Sequence, residues 1–272
     1  MTSILDTLKI IVGKRWPLIA ILFLAEIVVI VVVANSAFFP SELATYEKQY
    51  NTTSAVLDQS ATGQVVGIFS NNFRVATVEL IPLLGLATFG LSLYETARIV
   101  EVIAAVKSVG VGLALANLFF LPSTWLELPA YAIAAAESVY LVYAVYLGFK
   151  SGWAKFVREI RFLLVNVVLI AGVLIVAATF EVAEIQIEQG PAQTQVYALL
   201  TWIPFVAVFA GVLTFWRRAR RAAPALEERD AAEMEQREEA SPFIGGQSQP
   251  QPQGEKDAAG SPASRDEGGA TT

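Results

Sequence analysis

FRVATVELIPLLGLATFGLSLY, residues Phe73–Tyr94, is an apolar run of 22 residues with one carboxylate, Glu79, inside it. A helix rises 1.5 Å per residue, so about 20 apolar residues cross a hydrocarbon core of ~30 Å. Whether this run crosses decides how often the chain passes through a bilayer. Five runs of similar grade accompany it: Trp16–Phe38, Val102–Leu121, Trp125–Phe149, Arg161–Glu181 and Val196–Trp216. Hydrocarbon offers no partner to an unpaired backbone amide, which leaves helices and closed barrels as the only spanning structures. The runs are continuous rather than alternating, which argues against a barrel. The expected fold is therefore an all-α polytopic bundle of six transmembrane helices, multi-pass in the plasma membrane.

Composition agrees with that class. Of 272 residues 55% are hydrophobic, and the mean hydropathy is +0.54. The formal charge of −6 is concentrated at one end: residues 222–272 hold 11 acidic and 4 basic side chains, leaving residues 1–221 at +1. A basic footprint for nucleic acid is missing. Residues 222–272 are rich in Ala, Glu, Gln, Pro, Gly and Ser, cannot bury a core, and read as a disordered acidic cytoplasmic tail; ALEERDAAEMEQREEA within it could form one charged helix.

Cations set the orientation. Lys9, Lys14 and Arg15 precede the first run, Arg98 follows the second, Lys150, Lys155 and Arg158 follow the fourth, and Arg217, Arg218, Arg220 and Arg221 follow the sixth. With six crossings all of these fall on one side, and both termini are cytoplasmic. The third run is the weakest, with Lys107 in its first turns and Gly110 and Gly112 loosening it; a re-entrant arrangement is the alternative there.

Four glutamates lie inside apolar runs: Glu26, Glu79, Glu127 and Glu137. A carboxylate in lipid costs about 2.5–3.5 kcal/mol on insertion scales and marks a functional position by default. Counted from the flanking cations, Glu26 and Glu137 lie near mid-membrane, roughly 16 and 20 Å in, while Glu79 and Glu127 form an outer tier. The bland reading has each neutral and hydrogen-bonded to a neighbour such as Asn117, Asn166, Ser138 or Tyr140, with Arg74 near Glu79 or Glu127. The sharper reading is a cation or proton path.

Enzymatic chemistry has little to work with. The chain has no cysteine and no histidine, and no aspartate lies in any of the six runs. Zinc motifs, Cys–His or Ser–His nucleophiles and an intramembrane aspartyl dyad are thereby removed, and a phosphate-binding glycine loop is also missing. No metal and no cofactor is expected. Gly85, Gly90, Gly110 and Gly112 read as packing or kinking positions. Ala130, Ala132, Ala134 and Ala136 form small-xxx-small pairs that admit a second helix backbone closely. Pro129 bends the start of that helix, and Trp125 and Tyr131 suit an outer interface.

These residues also carry a likeness. Phe69, Asn71 and Asn72 open a segment with Gly85 and Gly90, and Pro122, Glu127, Leu128 and Ala130 open an Ala-rich one. Over roughly residues 65–215 this resembles the stage II sporulation protein M family of bacterial and archaeal integral membrane proteins. Where that family has His-Gly, this chain has Ser123-Thr124. The resemblance implies a non-enzymatic scaffold or assembly subunit of an envelope-associated complex. Its partners would be the lipid bilayer, other membrane or envelope proteins and a possible homo-oligomeric copy, met through the Ala-rich helix and the polar loop 39–72. A permease or ion-coupled transporter using the mid-membrane glutamates is the competing expectation.

Overall fold

The structure, a computed structural model, describes residues 4–36, 42, 45–48, 59–151, 153–189 and 199–239. Among these, seven helices of ten residues or more are formed and no strand. They are α1 (Ile4–Ala34), α2 (Ala61–Glu79), α3 (Gly85–Val106), α4 (Val111–Phe120), α5 (Thr124–Ser151), α6 (Trp153–Glu188) and α7 (Trp202–Glu239). Four segments are long and apolar enough to cross a membrane: Gly13–Ala34, Thr124–Lys150, Phe156–Ile187 and Leu199–Glu233. A fifth arises only if α3 and α4, bent by 117° at their junction, are taken as one.

The bundle has two distinguishable ends. At the basic end Arg15 of α1 bonds Glu159 near the start of α6, and Trp16 meets Trp216 of α7 with ring centroids 5.2 Å apart. At the far end lie Ser36, Ser123, Glu184, Gln186 and Trp202. Helices α1 and α6 run from the basic to the far end, and α5 and α7 return.

Helices α2 and α3 do not continue one another across this bundle. Helix α2 starts at the far end, where Gln186 donates to Gln64 at 3.1 Å, and runs inward to Glu79. Pro82 lacks the N–H that another turn requires. Leu83 then takes a left-handed backbone (φ 68°), and the chain reverses. Gly85 begins α3 hard against α5: a Cβ there would lie 2.0 Å from the Glu79 carbonyl and 2.4 Å from the Ser138 Cβ. Helix α3 climbs back to the far end, where Arg98 donates to the Val33 and Ser36 carbonyls that end α1 and pairs with Glu101 at 2.6 Å. The run Phe73–Tyr94 is thus a re-entrant hairpin and not a span. Where six crossings were expected, four helices are long and apolar enough to cross, or five if α3 and α4 count as one, and Arg98 lies at the end opposite the other cationic clusters, neutralised by Glu101.

The run Val102–Leu121 is also divided. Val109 N–H donates to Ala104 and Ser108 N–H to Ala105, closing α3 in a Schellman turn with Ser108 left-handed (φ 52°). The last carbonyls of the short α4 would be orphans in apolar surroundings. Side chains satisfy them: Thr124 donates to Leu118 (2.8 Å), Trp125 to Phe119 (2.7 Å) and Trp202 to Phe120 (3.1 Å).

Helix α7 passes the 221/222 boundary without a break. Ala219 and Ala223 are sealed, and a Cβ on Gly13 of α1 would meet the Ala223 Cβ at 2.3 Å. Leu226 joins a cluster with Ile10 and Phe162. The body therefore extends past residue 221, and the charged segment is helical through Glu239; residues 240–272 lie outside the described residues.

Candidate functional site

The interior polar groups form two assemblies stacked along the bundle. Nearest the basic end is an arginine lock. Arg15 is buried, its two guanidinium nitrogens bonding Glu137 of α5 and Glu159 of α6. Its face lies over the rings of Tyr140 (4.4 Å) and Phe162 (5.3 Å), and Asn166 donates to the second Glu137 oxygen at 2.6 Å. A planar guanidinium with five donors suits two carboxylates and two ring faces at once. The sequence counted Arg15 among interfacial charges; the fold draws it inside.

Farther in lies an acidic chamber. Glu79, at the tip of α2, accepts from Ser92 of α3 at 2.7 Å through one oxygen, while the other is buried without a hydrogen-bond partner. Glu26 of α1 is 0% exposed, and neither of its oxygens has a partner among the described residues. It stands within charge–charge range of Glu79 and Glu127. Toward the far end, Glu127 accepts from Asn72 at 2.9 Å, with Glu181 within charge–charge range. Glu184 accepts from the Ser123 hydroxyl at 2.7 Å and from its amide at 3.3 Å. Among the described residues, no group of three or more acidic side chains is arranged to hold a metal ion.

The expected tiers are regrouped. Glu137 belongs to the arginine lock, and Glu26 shares its chamber with Glu79 and Glu127. The depth of Glu79 had been counted from Arg98 along one continuous helix, and the reversal at residues 80–84 voids that count. Arg74 is exposed and bonds Asn71, not Glu79 or Glu127. Asn117 is exposed on α4 and joins neither assembly. Phe69 stacks on Phe73 (5.5 Å) at the α2–α5–α6 contact, where Ala130 and Ala134 are sealed. Ala132 and Ala136 are sealed against α1. Leu128 and Pro122 are buried. Gly85 is a close-approach position, whereas Gly90, Gly110 and Gly112 have nothing within 4 Å of a built Cβ and are not packing glycines.

Residues that sequence reasoning passed over include Arg15, Glu159, Glu181, Glu184, Ser92 and Ser123. The i, i+3 pair Glu181 and Glu184 near the end of an apolar run was the available signal, since both face one way on a helix. Comparison with family models, curated proteins and solved structures gives no match for this chain.

Proposed function

We propose that the chain is an ion-coupled permease of the cell membrane, with both termini cytoplasmic and the Glu26–Glu79 pair as its coupling site. Lys14, Arg158 and Arg217–Arg221 gather at the basic end, which the positive-inside rule assigns to the cytoplasm. The observation that carries the function is Glu26, sealed at mid-bundle with both oxygens unpartnered among the described residues and within charge–charge range of Glu79, a second buried carboxyl at the tip of the α2–α3 hairpin. A carboxyl kept there for packing would have a partner, because burying a polar group without a hydrogen bond costs roughly 2–7 kcal/mol. Broken helices inside the membrane are tolerated where they are buried in protein or line a cavity, and they form ion sites in transporters. Glu137, by contrast, is fully engaged with Arg15 and Asn166, which supports a structural role for it.

The scaffold reading, with the sporulation protein M likeness behind it, loses its main surface. The four alanines meant for a partner are sealed against α1, α2 and α6 of the same chain. Of the loop 39–72 that would supply the other surface, residues 39–41, 43–44 and 49–58 lie outside the described residues, and 61–72 are the first turns of α2.

The test is uptake into vesicles holding the purified full chain, driven by a negative-inside potassium diffusion potential and read by internal sodium and pH dyes. Wild type is expected to take up one of these ions faster than empty vesicles. Glu26→Gln and Glu79→Gln should each cut that uptake roughly tenfold or more while eluting and melting like wild type. Wild-type vesicles indistinguishable from empty ones for both ions would overturn the proposal.

A further inference from the structure

Residues 217–221 of α7 read RRARR, and nothing in the chain offsets their charge. Like charges three and four residues apart on a helix repel, and a glutamate at that spacing would relieve them. None is there. Leu213–Trp216 before the block and Ala222–Leu226 after it are uncharged, and the acidic run begins only at Glu227. Nor does the fold bring a carboxylate from another helix. Among the described residues Arg217, Arg218, Arg220 and Arg221 are all exposed, and none of them forms an ion pair. Four guanidiniums within about 6 Å of helix length thus face outward without an anion.

Their surroundings say which anion fits. Ala219, between them in sequence, is sealed on the side of α7 that packs on α1, as is Ala223 one turn later. The arginines fan over the remaining face, about 160° wide. Trp216 sits at its edge: the ring meets Trp16 of α1 at 5.2 Å, and the Arg220 guanidinium stands over it at 5.7 Å. An indole pair suits the boundary between headgroups and hydrocarbon. Toward the far end the same face turns apolar. Phe209 precedes Arg220 by eleven residues and Val206 precedes Arg217 by eleven, which is about three turns and about 20° around the helix in each case. Both side chains are 56% exposed. In order along one face come guanidiniums, an indole and bare apolar side chains, which is the order of a phospholipid from phosphate to acyl chain.

We propose that this face of α7 binds an anionic phospholipid of the leaflet at the basic end, with Arg217 and Arg220 on its phosphate and an acyl chain along Val206 and Phe209. A guanidinium takes a phosphate through two parallel N–H bonds, which an ammonium does not. A zwitterionic headgroup carries its own cation beside the phosphate, so four unpaired arginines favour a headgroup with net negative charge. Each basic side chain near an anionic surface contributes about fivefold in binding. The site stands whether or not the chain carries an ion across the membrane.

The test is native mass spectrometry of the full chain, purified free of lipid in mild detergent and titrated with equal phosphatidylglycerol and phosphatidylcholine. Wild type should retain phosphatidylglycerol about tenfold or more over phosphatidylcholine. Replacing Arg217, Arg218, Arg220 and Arg221 together by Gln should abolish that preference. Arg217→Gln with Arg220→Gln should lower it severalfold, and carries the test if the fourfold variant fails to fold. Lys150→Gln, a cation at the same end on α5, should leave it unchanged. Equal retention of the two lipids by wild type, or an undiminished preference in a folded arginine variant, overturns the proposal. A loss in Lys150→Gln as large as in the arginine variants overturns the site in favour of unspecific charge. Complete displacement of the lipid by millimolar glycerol phosphate overturns the assignment to a lipid rather than a free phosphate.

Discussion

Replacing Arg15 by methionine is the sharpest test of how this bundle is held. Arg15 is 2% exposed, and the side chains of its partners Glu137 and Glu159 are 2% and 7% exposed. The substitution keeps much of the aliphatic stem but leaves two carboxylates facing each other with no guanidinium between them. Breaking a buried pair by removing one partner costs about 3–5 kcal/mol, because the charge left behind is uncompensated. At 1.4 kcal/mol per factor of ten, that lowers the folded-to-unfolded ratio by roughly two to almost four powers of ten. Loss of the two ring contacts adds about 1–2 kcal/mol. Reversible unfolding by dodecyl sulfate in mixed micelles, followed by tryptophan fluorescence, reads the change. Arg15→Met with Glu137→Met and Glu159→Met removes all three charges and should recover most of the loss. A single variant within about 1 kcal/mol of wild type, or a triple variant no better than the single, would refute the assignment of this cluster as a structural lock.

Two further outcomes follow from the hairpin. Gly85→Ala forces a Cβ into the Glu79 carbonyl and Ser138, and should destabilise by about 1–3 kcal/mol or more, whereas Gly90→Ala, with open space around it, should be neutral or slightly stabilising; thermal melts in detergent compare them. The absence of native cysteines makes Ser108→Cys a clean topology probe. It should react with a membrane-impermeant maleimide from outside the cell, together with Ser36→Cys, while six crossings would leave residue 108 reactive only from the cytoplasm.

What was legible in the sequence was what hydropathy alone determines. The runs containing α1, α5, α6 and α7 are long, apolar and flanked by cations, and each is a helix able to cross. The run at residues 73–94 misled because mean hydropathy does not register direction. Pro82 and a left-handed Leu83 turn the chain back without adding a polar residue, so the run looks continuous. Arg98 then misled in turn, since a cation paired with Glu101 in the next turn carries little orienting charge. Glu26, Glu79, Glu127 and Glu137 were found as buried carboxylates because burial of charge in an apolar run is visible. Their grouping was not, because it depends on which helices are neighbours. Tyr131, which packs against two interior clusters, was misplaced for the same reason: a tyrosine near an outer helix end looks interfacial until the helix beside it is known.

The re-entrant hairpin has a consequence for biogenesis. During synthesis α2 and α3 leave the ribosome before α5 and α6 exist, yet Gly85 rests on Ser138 and Gln64 on Gln186. The hairpin's seat is made by residues that come 53 and 122 positions later, so it cannot be settled when it is first delivered to the membrane. Glu79 and Arg98 make it a poor occupant of lipid in the interval. Its docking is therefore a late, post-insertional step, and truncation before α6 should leave residues 61–106 protease-accessible rather than folded.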